Sequence, residues 1–357
     1  MAALNLTPPD HPPTQGLHYR PPPPIFRLQL HKPQKIQPKT PRGDHEPEDD
    51  KVVCVTSGVS YLGLAVVRRL LARGYHVRVI VHNQDDMEKL GEMGGSRITA
   101  VVADLMEQRS LLDALDGCRG VFHTSSFIDP AGLAGYSKTM AQIEVKATEN
   151  VMEACATTAT VRKCVLTSSL LACIWPHHHA DDDDRRPPAL ITHRDWSDES
   201  TCLQKRLWYA LGKLRSEKAA WRVAESKGLK LTSVCAGLVT GPDFATKNPT
   251  ATIAYLKGAP EMYRSGVLAT VDVTRLAEAH VCVYEEMNRG AFGRYLCFDE
   301  VVDGEERARK LAGEAGVAEQ AITGCEGSAE PLKKYKLSNK KMASLVSRSI
   351  TNRCCEY

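Results

Sequence analysis

From Lys51 onward, apolar positions recur with two alternating periods. Val52-Val53-Cys54-Val55-Thr56 is a short β-branched run that ends in a Gly/Ser turn. A helical spacing then covers Leu62 to Arg73 before Gly74 stops it. HVRVIVH (76–82), ITAVVADL (98–105), GVFHTSS (120–126) and RKCVLTSS (162–169) read as four further strands, with helices near 85–92, 108–115 and 137–157 between them. A long helix is predicted from Leu207 to Lys227, followed by a sixth strand, LKLTSVCAG (229–237). Strand and helix alternate at the spacing of βαβ units. The pattern therefore predicts an α/β fold, a doubly wound parallel sheet with helices on both faces.

Past Gly241-Pro242 the alternation thins to helical spacings at 249–257, 272–287 and 303–315 and one strand, GRYLCF (293–298). These predict a smaller substrate lobe at 241–325, interleaved with a sheet domain at 51–240 and closing over the sheet's carboxyl edge, where ligands of open α/β sheets sit. Residues 1–50 contain twelve prolines, and their six basic side chains balance six acidic ones, which predicts a disordered arm. Residues 331–357 hold seven basic side chains and one acidic one, so 326–357 reads as a solvated basic tail. The formal charge of +3 argues for no nucleic-acid partner. With no apolar run of membrane length and no secretory pattern, the chain is expected to be cytoplasmic with no membrane partner. The twelve cysteines are scattered through apolar runs without a C-x-x-C pair and read as buried free thiols. His177 to His179 and Asp181 to Asp184 lack metal-site spacing and read as a solvated loop, so no metal is expected.

Three places carry candidate chemistry. The first strand runs into T-S-G-V-S-Y-L-G (56–63), where a turn approaching a pyrophosphate would read T-G-x-x-G-x-x-G. Ser57 and Ser60 stand at two of those glycines and Gly63 at the third, with Gly58 as a displaced flexible point. A plain strand-to-helix turn accounts for these residues equally well. The second strand ends in His82-Asn83-Gln84 with no carboxylate placed for ribose hydroxyls, which disfavours NAD and leaves His82, Arg78 and Lys89 to meet a 2′-phosphate. The third place is Trp208 to Lys213, where Tyr209 and Lys213 project from one helical face. An ammonium there favours phenolate and lowers the tyrosine pKa. Such pairs also arise by chance on amphipathic helices. The preceding Thr167-Ser168-Ser169 strand end favours chemistry, because a serine hydroxyl can donate to a carbonyl oxygen as charge develops.

Taken in order, Gly63, Asp104-Leu105, Thr124-Ser125-Ser126, Thr167-Ser168-Ser169 and Tyr209-x-x-x-Lys213 resemble the extended short-chain dehydrogenase/reductases. VCAGLVTGP (234–242), NPTAT (248–252) and VDVTRLAEAH (271–280) resemble their plant cinnamoyl-CoA reductase-like and dihydroflavonol reductase branch. The resemblance implies a Rossmann-type sheet, NADP(H) as cofactor and an oxidoreductase. It implies that Ser169 polarises a carbonyl, Tyr209 donates a proton, and Lys213 binds ribose and tunes Tyr209. Thr56, Gly58, Ser60, Tyr61, Leu62, Gly63, His82, Lys89, Asp104, Leu105, Thr124 and Ser126 would surround the dinucleotide, and Ala236, Leu238 and Val239 the nicotinamide side. Departures from the family pattern are Ser57 and Ser60 at glycines, His82 at the arginine expected for NADP, Ala236 at a proline and Leu207 at the asparagine before the tyrosine. The implied activity is NADPH-dependent reduction of a hydroxycinnamoyl-CoA-type thioester to the aldehyde, in phenylpropanoid metabolism, by a monomer or weak homodimer. A ketone reductase of dihydroflavonol or polyketide type, and a cofactor-binding regulatory protein without turnover, stay open as alternatives.

Overall fold

The computed structural model describes residues 51–91, 93, 95–124, 136–176, 188–324 and 334–354. The expected arm (1–50), Ser126 and the His177–Asp184 loop lie outside the described residues. The chain forms Val52–Val55 (β1), Tyr61–Ala72 (α1), His76–Val81 (β2), Gln84–Gly91 (α2), Ile98–Val102 (β3), Gln108–Leu115 (α3), Gly120–His123 (β4), Lys138–Thr157 (α4) and Lys163–Ser169 (β5). Ala189–Ile191 (β6), Glu199–Gln204 (α5), Trp208–Lys227 (α6), Lys230–Ala236 (β7) and Leu238–Thr240 (β8) follow. Next come Phe244–Lys247 (α7), Pro249–Leu256 (α8), Ala259–Ser265 (α9), Ala269–Asp272 (β9), Val273–Glu286 (α10) and Gly293–Cys297 (β10). Glu300–Val301 (β11), Glu305–Ala315 (α11), Gln320–Thr323 (α12), Tyr335–Leu337 (β12) and Lys340–Cys354 (α13) complete it.

Seven strands form one sheet in the order β3-β2-β1-β4-β5-β7-β10, every neighbouring pair parallel. This is the doubly wound Rossmann-type sheet that the alternating pattern predicts. Period-two alternation divides its side chains between two cores. Val53, Val55, Val79, Val81, Phe122 and Val165 pack on one face with residues of α1 and α10. Cys54, Ile80, Val121, Cys164 and Leu166 pack on the other with residues of α3, α4 and α6. Each such side chain contributes roughly 1.5–3 kcal/mol on burial, so the strand runs themselves fix which face meets which helix. Cysteines fit this interior: Cys54, Cys118, Cys155 and Cys164 are buried free thiols. Because the strand order reverses between β1 and β4, a crevice opens at their carboxyl ends.

A three-stranded sheet, β11-β9-β8, and helices α7 to α9, α11 and α12 make a second packing centre around Trp175, Leu207, Tyr255, Met262 and Leu311. α10 and β10 return to the main sheet; β10 pairs with β7, and α10 is tied to α1 by Arg73 and Glu285 at 2.8 Å. The basic segment departs from expectation. Rather than a solvated tail, β12 pairs with β6, and α13 buries Met342 and Leu345 in the core beneath α10. Met342, Leu345 and Val346 form an apolar stripe at helical spacing, which the count of lysines hides. Among the described residues no helix is long and apolar enough to cross a membrane.

Candidate active site

The turn after β1 forms one wall of the crevice. Ser60 is the N-cap of α1: its hydroxyl accepts the Gly63 N–H at 3.1 Å and donates to the Ser57 carbonyl at 2.7 Å. A serine at a family glycine thus closes the turn with its own hydrogen bonds. Gly63 admits no side chain, since a Cβ would lie 1.9 Å from the Ser57 carbonyl oxygen. Gly58 is not a flexible point but a packing glycine, because a Cβ there would meet Val79 at 2.4 Å. Thr56 is fully buried, and its hydroxyl pairs with His123 Nδ1 at 3.0 Å, bracing the turn from behind. Burial, aided by the Lys213 charge, pushes His123 down to about 3, so its ring stays neutral.

A cleft with an empty volume of about 570 Å³, open to solvent, gathers Ser60, Tyr61, Leu62, Thr124, Ser169, Tyr209, Lys213, Ala236, Leu238 and Val239. Ser169 ends β5, where its hydroxyl accepts the Leu171 N–H at 3.2 Å and donates to the Ala236 carbonyl at 3.5 Å. Tyr209 and Lys213 lie one turn apart in the first half of α6. Lys213 Nζ is 2.6 Å from Glu144 Oε1 and 5.4 Å from the centre of the Tyr209 ring. Tyr136 donates its hydroxyl to Glu144 Oε2 and sets its ring edge-on to Tyr209 at 5.0 Å. Burial works against the Lys213 charge, yet the adjoining Glu144 carboxylate, together with Tyr209, outweighs it and holds the ammonium above its ordinary pKa. For Tyr209, burial raises the pKa, Lys213 offsets only part of this, and Glu144 adds to the rise. The net lowering expected from the Tyr–Lys pair is therefore absent. Tyr209 rests as a protonated phenol, which is the state a proton donor requires.

Below the cleft a second buried ion pair fixes the strand end. Glu217, one turn beyond Lys213, accepts the Ser168 hydroxyl at 2.7 Å and the Arg294 Nε–H at 2.8 Å. The pair joins α6, β5 and β10 through Ser168, the neighbour of Ser169.

The remaining expected residues lie outside this cleft. His82 is exposed at the end of β2; its backbone N–H donates to the Asp86 carboxylate at 3.2 Å, and the same carboxylate is 3.5 Å from Lys89 Nζ. Asp104 turns back to accept the Met106 N–H at 2.8 Å, and the Leu105 carbonyl accepts from Asn150 at 3.1 Å. Arg78 does not face a phosphate position. Its mid-strand side chain runs to the end of α3, donating to the Ala114 and Asp116 carbonyls at 2.8 and 2.5 Å. One buried cleft hydroxyl, Thr124 Oγ1, has no hydrogen-bond partner among the described residues. Such a group calls for a polar ligand, and with the turn after β1 it fits a dinucleotide. Among the described residues no metal-binding cluster is present. Glu144, Tyr136 and Tyr255 escape the sequence reading; the available signal is that Glu144 shares the buried stripe of α4 with Ala141, Thr148 and Val151.

The model of the NAD dependent epimerase/dehydratase family matches residues 53–295. Cinnamoyl-CoA reductase 1 of Petunia hybrida is 36% identical over 320 residues, covering 86% of this chain and 90% of that protein. Tetraketide alpha-pyrone reductase 1 of Arabidopsis thaliana is 31% identical over 264 residues, 71% of this chain and 78% of its own. Among solved structures, yeast methylglyoxal/isovaleraldehyde reductase complexed with NADPH shares the fold, with a TM-score of 0.62 at 19% identity over 83% of this chain and 93% of that one. The sheet order agrees with these matches: the chain belongs to the NAD dependent epimerase/dehydratase family and is an oxidoreductase of the extended short-chain dehydrogenase/reductase type.

Proposed function

We propose that the chain is an NADPH-dependent reductase that converts a hydroxycinnamoyl-CoA-type thioester to the aldehyde. The observation that carries the reductase reading is one cleft in which Ser169, Tyr209 and Lys213 meet the amino end of α1 and the Thr124 hydroxyl, which has no partner among the described residues. The amino end of α1 suits a diphosphate, and Lys213 suits ribose hydroxyls. A bound reduced nicotinamide supplies the hydride. Ser169 and Tyr209 donate to the carbonyl oxygen as it gathers charge, and Tyr209 then gives up its proton. Lys213 stays positive and steadies the resulting phenolate. A thioester so reduced becomes a hemithioacetal, which expels the thiol and leaves the aldehyde; a ketone stops at the alcohol.

NADP is favoured over NAD because β2 ends in an exposed His82, while the nearby Asp86 carboxylate is turned onto the His82 N–H and Lys89. The NADPH complex of the yeast relative supports the same choice. Likeness to the Petunia reductase supports the thioester. The ketone reading is favoured by the Arabidopsis pyrone reductase and by the buried, apolar Leu207 at the family's asparagine position. A panel of CoA thioesters and ketones, assayed with NADPH and NADH, separates them. Tyr209→Phe is expected to lower turnover of the preferred substrate roughly 10²–10⁴-fold while sparing NADPH binding. NADPH binding by the wild type without reduction of any carbonyl would leave a binding protein as the better account.

A further inference from the structure

Glu144 is a charged residue on the buried stripe of α4, and its side chain is 1% exposed. One carboxylate oxygen meets Lys213 Nζ at 2.6 Å and the other accepts the Tyr136 hydroxyl. Packing alone gives no reason for this arrangement, since apolar residues of similar volume often replace a buried ion pair without loss. The cleft supplies a reason. Among the described residues Lys213 is the one charged residue lining it, is itself 6% exposed, and burial by itself drives an ammonium toward its neutral form. A nearby anion reverses that drive.

Resting on the dinucleotide reading above, we propose that Glu144 is a positioning residue for Lys213: its carboxylate keeps the ammonium charged and fixed at the cleft wall, where it serves the ribose hydroxyls and faces Tyr209. Glu144 acts through Lys213 and does not touch the reacting atoms. Among the described residues, the other ionisable groups facing the pair are Tyr209 on α6, Tyr136 before α4 and His123 on β4, with Tyr255 on α8 facing Tyr209 in turn. Burial keeps the three tyrosines protonated and His123 neutral. Below about pH 10, then, Lys213 is the member whose charge depends on Glu144.

The Kd for NADPH, read by fluorescence titration of the full chain from about pH 7 to 10, reports that charge without any turnover. Wild type is expected to hold its affinity throughout. Glu144→Gln keeps the shape and the Tyr136 hydrogen bond but removes the anion, which lowers the ammonium pKa by about 1–3 units. Its affinity is expected to fall about ten-fold or more across the upper half of that range, as the charged hydrogen bonds to ribose are lost. Glu144→Asp retains the charge on a shorter stem and should show a smaller loss in the same direction. Melting temperatures taken at each pH separate this from unfolding: a merely structural role lowers them and leaves the pH dependence of Kd unmoved. Glu144→Gln running parallel to wild type overturns the proposal, as does an unmoved Glu144→Asp where the Gln variant does not fold. Wild type binding neither NADPH nor NADH overturns the dinucleotide reading itself, which is a distinct result.

Discussion

The buried Glu217–Arg294 pair that holds Ser168 gives the sharpest test of how the strand end is held. Arg294 donates to Glu217 through Nε at 2.8 Å and Nη2 at 3.2 Å, and to the His193 and Asp195 carbonyls through Nη1. Its guanidinium also lies 3.5 Å from the centre of the Trp196 ring. Their side chains are 7% and 0% exposed, so solvent screens the pair little. Arg294→Leu removes the cation and leaves the Glu217 carboxylate buried with only hydroxyl and thiol neighbours. Breaking one side of such a pair costs about 3–5 kcal/mol, a large share of the roughly 5–15 kcal/mol that holds a typical protein folded. Urea unfolding followed by circular dichroism at pH 8 measures it. The double variant Arg294→Leu/Glu217→Leu, with no charge left to bury, should recover most of the loss. Acid should help the single variant, because a proton then takes the place of the missing guanidinium, so its deficit shrinks between about pH 8 and 5. A loss under about 1 kcal/mol, or a double variant as unstable as the single, would refute the argument that charge burial dominates here.

Two further outcomes are expected. Burial depresses His280 from 6.5 to about 4, with its Nδ1–H bonded to the Leu276 carbonyl and Nε2 to Thr167. Below 6.5 the unfolded chain binds a proton that the folded chain refuses, so stability falls as pH drops toward 4, by about 2 kcal/mol at pH 5. His280→Gln should flatten that part of the stability curve in urea titrations at pH 7.5 and 5, and an unchanged slope would contradict it. His82→Arg should tighten NADPH several-fold and leave NADH unaltered, since a guanidinium grips a 2′-phosphate bidentately; equal gains for both cofactors would remove His82 from the phosphate site.

What the sequence reveals and what it hides divide along one physical line. The sheet is legible because each β-branched run carries its own period, and burial on both faces follows from the run alone. Ser169, Tyr209 and Lys213 are legible because a strand end and a four-residue helical spacing are local facts. The partners that set their charge are not local. Glu144 stands 69 residues before Lys213, and Arg294 stands 77 beyond Glu217; only the packing of α4 and β10 against α6 and β7 brings them together. A pairwise reading of Tyr209 and Lys213 therefore assigns the phenol a lowered pKa, whereas in the folded site burial outweighs the ammonium's pull and Glu144 adds to the rise. Arg78 errs in the same way: its distance from the second strand's end is right for a phosphate, but strand alternation sends its side chain to α3. The Met342–Val346 stripe is the converse case, a local period fully visible in the sequence and masked by net charge. Spacing thus locates the candidate groups, while their protonation states belong to contacts that only the fold supplies.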